Sequence, residues 1–258
     1  MTLAQAHVNT LAFNGFISTF GDNVVDLKLK IGDFRITCSV DMPTHYLTKG
    51  MSVITHGDSG EQFYKPGDVM IPDVKKTTAF LKACKEELTY IRHVGNILTL
   101  KNGKDVFSTP THNHTLSAHS VDRANEAVTK AIKTGWNKLG RAELSCHGTM
   151  STLEFDGIST MTKVSAKDSP VRVTVEDGEM VITAGAQRGA KMSRTINVDV
   201  KDESKPVTTV FGNHLPKLLS LVGAGEVIFH IGNKSALVLQ HAEMPTVLVL
   251  KHQEGVDE

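Results

Sequence analysis

Three histidines crowd the middle of the sequence, at His112, His114 and His119 in PTHNHTLSAHS. Imidazole ligates zinc and copper, and a His-x-His pair on a strand puts two rings on one face. A metal-dependent enzyme built on this stretch is therefore one reading. It needs further ligands at suitable spacing, and no Asp, Glu or His cluster follows. As a tripeptide, HNH carries little information. The glycines of AGAQRGAK, 184–191, leave a strand pattern with no helix after them, so they do not form a strand–loop–helix phosphate cradle. No GxSxG, P-loop or dinucleotide-binding loop occurs. The three cysteines, Cys38, Cys84 and Cys146, have no metal-ligand spacing, and their odd number fits a reducing compartment. No catalytic group, metal or cofactor is assigned, and the chain is read as a non-enzyme.

The other chemistry is that of basic side chains. Lys75, Lys76, Lys82 and Lys85 lie mainly away from the apolar stripe of one candidate helix. Lys163 and Lys167, spaced i, i+4, do so on a second, and His214 and Lys217 on a third. Ammonium groups repeated on outward helix faces suit phosphate contacts, which read no base sequence. Lys+Arg 28 balances Asp+Glu 28, so any nucleic-acid affinity comes from local clustering. Aromatic residues are 5% with one Trp, which excludes a stacking platform for single strands.

The elements that carry these groups are repeated. FNGFIST at 13–19 returns as FDGIST at 155–160, an offset of 155 − 13 = 142. LKLKIGDFRIT, 27–37, matches VRVTVEDGEMVIT, 171–183, as a pair of alternating runs around a turn at Gly32 or Gly178. LTYIRHVGNILTL, 88–100, matches VIFHIGNKSALVL, 227–239, with His93 to Asn96 set against His230 to Asn233. Three markers in one order indicate two copies of one unit. The period of two predicts hairpins with one buried face, turned at Gly32-Asp33, Gly95-Asn96, Asp177-Gly178 and Gly232-Asn233. His93 and His230 are expected as strand residues beside their turns.

Short helices precede the hairpins. Asn14 and Asp156 are expected as N-caps of the first and third, with Phe13, Phe16, Ile17 and Phe20 as the buried face of the first and Ile158, Met161 and either Val164 or Ser165 as that of the third. The second runs from Asp73 with Val74, Thr77, Phe80, Leu81 and Cys84 inward. The fourth, capped by Asn213, carries Leu215, Leu218, Leu219 and Val222, and tolerates Pro216 in its first turn. Helices and antiparallel strands in this order predict an α+β fold: two similar domains, each with short helices on one face of antiparallel sheets. The expected domains are 1–110 and 149–258, with a connector at 111–148. Within the connector, VDRANEAVTKAIKTGW reads as a helix capped by Ser120 or Asp122, with Ala124, Val128, Ala131 and Ile132 inward and Arg123, Lys130 and Lys133 outward. No signal peptide or apolar run of about 18 residues is present, so a cytoplasmic protein is expected, not a membrane protein.

With these helix–hairpin pairs and the closing strand TVLVLKHQ, the chain resembles the DNA sliding clamps, in the two-domain trimeric type of phages, archaea and eukaryotes, as a divergent phage or viral member. The resemblance implies a ring that encircles duplex DNA and tethers the replicative polymerase. Four helices per chain and twelve in the family's ring imply a homotrimer. The implied partners are double-stranded DNA, DNA polymerase, a clamp loader and further copies of the chain. Subunits would join by edge strands, with 105–109 or 114–119 and 191–198 as candidates. The family's peptide-docking position carries over to Leu250, Lys251 and His252, with Leu116 in the connector. The connector helix departs from the family's simpler connector, and either covers that position or is itself the docking surface. The alternatives are a monomeric clamp-fold factor that holds DNA by charge, and the metal-dependent enzyme of the connector histidines.

Overall fold

The computed structural model describes all residues except 1–2, 21–23, 33, 56–62, 112–114, 159, 162–168, 186–189 and 254–258, and describes the backbone but not the side chains of 115–119. The chain divides into two compact units, residues 1–40 with 48–119, and residues 41–47 with 120–258.

Unit 1 runs β1 (Leu3–Asn9), α1 (Thr10–Ser18), β2 (Leu27–Ile31), β3 (Arg35–Asp41), β4 (His45–Ser52), β5 (Gly67–Ile71), α2 (Val74–Ala83), β6 (Leu88–Val94), β7 (Ile97–Asn102) and β8 (Asp105–Pro110). Its strands are ordered β1-β6-β7-β8 and β4-β3-β2-β5. Alternation dictates what they bury: Ala4, Ala6 and Val8 from β1, Leu27, Leu29 and Ile31 from β2, and Ile36 and Cys38 from β3. Phe13, Phe16 and Ile17 of α1 and Val74, Thr77 and Leu81 of α2 are buried too.

Unit 2 opens with α3 (Thr115–Lys133), whose first residues, 115–119, group with unit 1. It continues through β9 (Lys138–Leu139), β10 (Ala142–Glu143), β11 (Cys146–Ser151), a 3-10 turn (Thr152–Phe155), β12 (Val171–Glu176), β13 (Glu179–Ala184), β14 (Met192–Asn197), β15 (Asp199–Val200), β16 (Val207–Phe211), α4 (Leu215–Leu219), a second 3-10 turn (Ser220–Val222), β17 (Glu226–Ile231), β18 (Leu237–His241) and β19 (Val247–Leu250). Its strands are ordered β15-β11-β17-β18-β19 and β14-β13-β12-β16. Strand for strand this repeats unit 1, with β15 and the separate β9–β10 pair added. The initial strands β1 and β11 are elements the sequence pattern did not reveal.

Several local expectations are corrected. Asn14 is not a cap: it lies inside α1, which Asn9 caps by accepting from the Ala12 amide at 2.9 Å. Asp156 follows the first 3-10 turn, and the helix it was expected to cap falls partly on residues 162–168, outside the described ones. Asn213 does not cap α4, whose N-cap residue is His214, with no side-chain cap bond. Ser120 and Asp122 lie inside α3, which begins at Thr115, so 115–119 form a helix and not an edge strand. Ile132 is 49% exposed, and Trp136 takes its place in the buried stripe. Phe34 is exposed at φ 71° in the first hairpin turn; Asp33 of that turn, and Val164, lie outside the described residues.

The repeat itself slips by one residue at its last marker. Gln5 pairs with Arg92, and His147 with His230. The structural equivalent of His230 is therefore Arg92, not His93. Because strand side chains alternate, the slip puts the two histidines on opposite sheet faces. Its cause is the turn. Gly95-Asn96 closes a two-residue hairpin, whereas residues 232–236 form a longer loop with Lys234 at φ 46°. Gly232 is required there by close approach: a Cβ would overlap the Glu143 carbonyl oxygen.

The slip creates a pH-sensitive core. His230 is 4% exposed, its ring stacked on Trp136 at 5.2 Å, its Nδ1 2.8 Å from His147 Nδ1. Burial, then the neighbouring His147 and Lys201, lower its pKa to about 3. Burial and Lys201 also lower that of His147. Folded, His230 stays neutral, while an unfolded imidazole takes up a proton below about 6.5. The unfolded state therefore binds more protons between about pH 6.5 and 3, and stability falls as pH drops through that window. Urea unfolding should show His230 alone removing about 3 kcal/mol by about pH 4. His230→Phe should flatten the profile; identical pH profiles in both proteins contradict it.

Candidate DNA-facing and partner-docking surfaces

Helix α2 is the clearest basic element. Asp73 caps it, accepting from the Lys76 amide at 2.9 Å, and that bond chiefly holds the carboxyl below its ordinary range. Val74, Thr77 and Leu81 face inward, which turns Lys75, Ala79 and Lys82 outward at i, i+4 and i+7. All the lysines here are exposed. Lys76 also reaches back to Asp73 at 3.3 Å, a pair too exposed to add much stability. Lys85 is beyond the helix, which ends at Ala83 because Cys84 turns extended.

Helix α1 presents Leu11, Ala12, Gly15 and Ser18 to solvent, without charge. In unit 2, Ile158 and Met161 are fully buried as expected, while Lys163 and Lys167 lie outside the described residues. Lys217 is exposed on α4, opposite the buried Leu215, Leu218 and Leu219. His214 is half-buried, and burial lowers its pKa, so near neutral pH it carries no charge for a phosphate. It lines a cavity of about 320 Å³ with Pro43, Thr44, Lys251 and His252, and belongs with the docking residues by position.

Of the residues expected to dock a partner, Lys251 and His252 come together in unit 2. A groove of about 570 Å³ runs beneath α3. Its apolar lining comes from Ala124, Val128, Leu139, Ala236 and Val249, its polar rim from Asp41, Ser120, Arg123, Lys234, Lys251 and His252. Lys251 Nζ donates to Asp41 Oδ1 at 2.6 Å, and Ser120 Oγ to Asp41 Oδ2 at 2.6 Å. His252 Nδ1 lies 2.9 Å from the Val210 carbonyl oxygen. The expectation for Leu250 is corrected: it is 1% exposed and paired with Leu237 on the core face, so Val249 faces the groove instead. The Leu116 side chain lies outside the described residues. Sequence reasoning missed Asp41 and Tyr46, which reach the groove from the end of β3 and the start of β4; nothing in DMPTHY marks these residues as a groove wall.

Why α3 covers this face follows from the repeat. The outward row across β11, β17, β18 and β19 is His147, His230, Val238 and Val249. With Tyr46, Val247, Leu144, Val128, Ala131 and Trp136, members of this row form a buried apolar cluster. The equivalent row of unit 1 is Gln5, Arg92, Thr99 and Ser108, polar throughout. Only the second face needs a cover.

Among the described residues no group of three or more His, Cys, Asp or Glu side chains could hold a metal ion, and His112, His114 and the side chain of His119 lie outside them. No described helix is long and apolar enough to cross a membrane.

No family model matches the sequence, and no curated protein matches it. Solved structures do. A putative DNA polymerase III beta subunit from Eubacterium rectale shares 12% identity at a TM-score of 0.72, over 97% of this chain and 65% of that one. The proliferating cellular nuclear antigen of Entamoeba histolytica shares 11% at 0.68, over 98% and 100%. The A. fulgidus PCNA, bound to the C-terminal region of FEN-1, shares 11% at 0.66, over 97% and 98%. The chain thus spans about two thirds of the bacterial beta subunit and the full length of the PCNA chains. Likeness over nearly every residue of both repeated units establishes the architecture: this chain has the sliding-clamp fold.

Proposed function

We propose that the chain is a sliding clamp, a non-catalytic ring of three copies that encloses duplex DNA and holds a DNA polymerase beside it. The observation that carries this reading is the repeated unit, which bears the outward lysine row of α2 on a fold shared with clamps over 97–98% of the chain. Lysines on such helices attract phosphates without reading bases, so the ring slides. A closed ring leaves only at an end or by opening, so weak contacts suffice. A polymerase tethered to it stays at high effective concentration near the primer.

Strands β8 and β14 end their sheets and are candidates for the joints between copies. The groove under α3 is the candidate site for a segment of the polymerase or of a clamp loader, with Lys251 and His252 at its rim. Residues 1–110 and 149–258 are proposed as the two clamp domains, the connector serving the second.

Threading separates the ring from a monomer that binds by charge. The chain should load onto a linear duplex with free ends, and not when streptavidin blocks both ends. Equal binding to both would favour the monomeric factor.

A further inference from the structure

We propose that residues 120–127 of α3 are a lid on the groove, hinged at the second half of the helix, which opens to admit an apolar side chain of the docking partner. This rests on the docking reading above. The two halves of the helix are held by different means. From Val128 onward the inward groups are fully buried: Val128 and Ala131, with Trp136 just past the helix end, pack with Tyr46, Val238, Val247 and Val249. Trp136 also donates its Nε1–H to Gln240 Oε1 at 3.0 Å and stacks on His230. Before Val128 the residues of α3 that line the groove on this side are Ser120, Ala124 and Ala127, half-buried and small, opposite Ala142 and Ala236. The groove is the space these short side chains leave unfilled.

Polar straps span that space. Ser120 and Lys251 both bond the Asp41 carboxylate, and the Tyr46 hydroxyl donates to Asn125 Oδ1 at 2.6 Å. Each can be exchanged for a bond to water at small net cost, whereas lifting the Trp136 end exposes a full aromatic face. Opening from residue 120 towards 127 is therefore the low-energy motion of this helix. It also releases Lys251 from Asp41 and so turns an ammonium to the rim of the groove. The opened groove then suits an apolar segment flanked by carboxylates.

Hydrogen–deuterium exchange on the full chain tests this without a partner. In the wild-type protein, amides 121–127 should exchange at least about tenfold faster than amides 129–133. Tyr46→Phe removes one strap and keeps the ring; Asp41→Asn weakens the other two. Each should speed 121–127 about fivefold or more and leave 129–133 at the wild-type rate. If Asp41→Asn fails to fold, Tyr46→Phe decides. A single rate across 121–133, unmoved by either substitution, overturns the lid. Exchange reports the helix alone, so that outcome leaves the clamp reading standing, while a failed threading experiment leaves the lid standing.

Discussion

Replacing Lys75, Lys82, Lys163 and Lys167 with glutamate should abolish the chain's stimulation of its polymerase and leave its melting temperature nearly unchanged. The two α2 lysines are exposed and make no bond that holds the fold. Surface substitutions of this kind usually shift stability by about 0.5 kcal/mol or less each. Their effect on DNA is far larger. Removing one lysine–phosphate interaction reduces the slope of log K against log salt by about 0.9, and a glutamate adds repulsion where attraction stood. Three copies multiply the change to twelve reversed charges on one ring. Primer extension at rising salt measures it. Stimulation that survives all four reversals would move the DNA-facing surface elsewhere.

The second large effect concerns ring closure. Among the described residues strand β8 is paired on one side only, with Lys101 opposite Val106 and Thr99 opposite Ser108. Asn102 and Asp105 close a two-residue turn, so the pairs alternate between bonded and non-bonded from there. That alternation turns the amides of Val106 and Ser108 to the open edge. Val106 itself is 58% exposed. Ser108→Pro removes one outward donor and spares the ladder to β7. The expected result is loss of the trimer with a folded monomer by circular dichroism. A variant that remains trimeric would place the joint on another strand.

Much of the fold was legible because burial writes a period into the sequence. The β2–β3 and β12–β13 hairpins, the inward face of α2 and the Asp177-Gly178 turn all follow from local rules that tertiary packing did not overturn. The failures share a different cause. Strands β1 and β11 alternate, but Ala4, Ala6 and Gly148 are too small to register as an apolar run. The match of His93 to His230 failed because turn length, which no marker residue reveals, decided the register. Leu250 failed through the same period of two: its neighbour Val249 has the same chemistry and the opposite face. The groove was least visible, since Asp41, Tyr46, Ser120 and Lys251 are far apart in sequence and ordinary in type. The extra residues of the connector did point to the helix that covers it.

The proposed function depends most on three copies closing into one ring. Light scattering across a concentration series measures this directly. Three chains of 28.0 kDa give about 84 kDa at high concentration, falling as dilution opens the ring. A mass of 28.0 kDa at every concentration would contradict it and leave a clamp-fold monomer that holds DNA by charge alone.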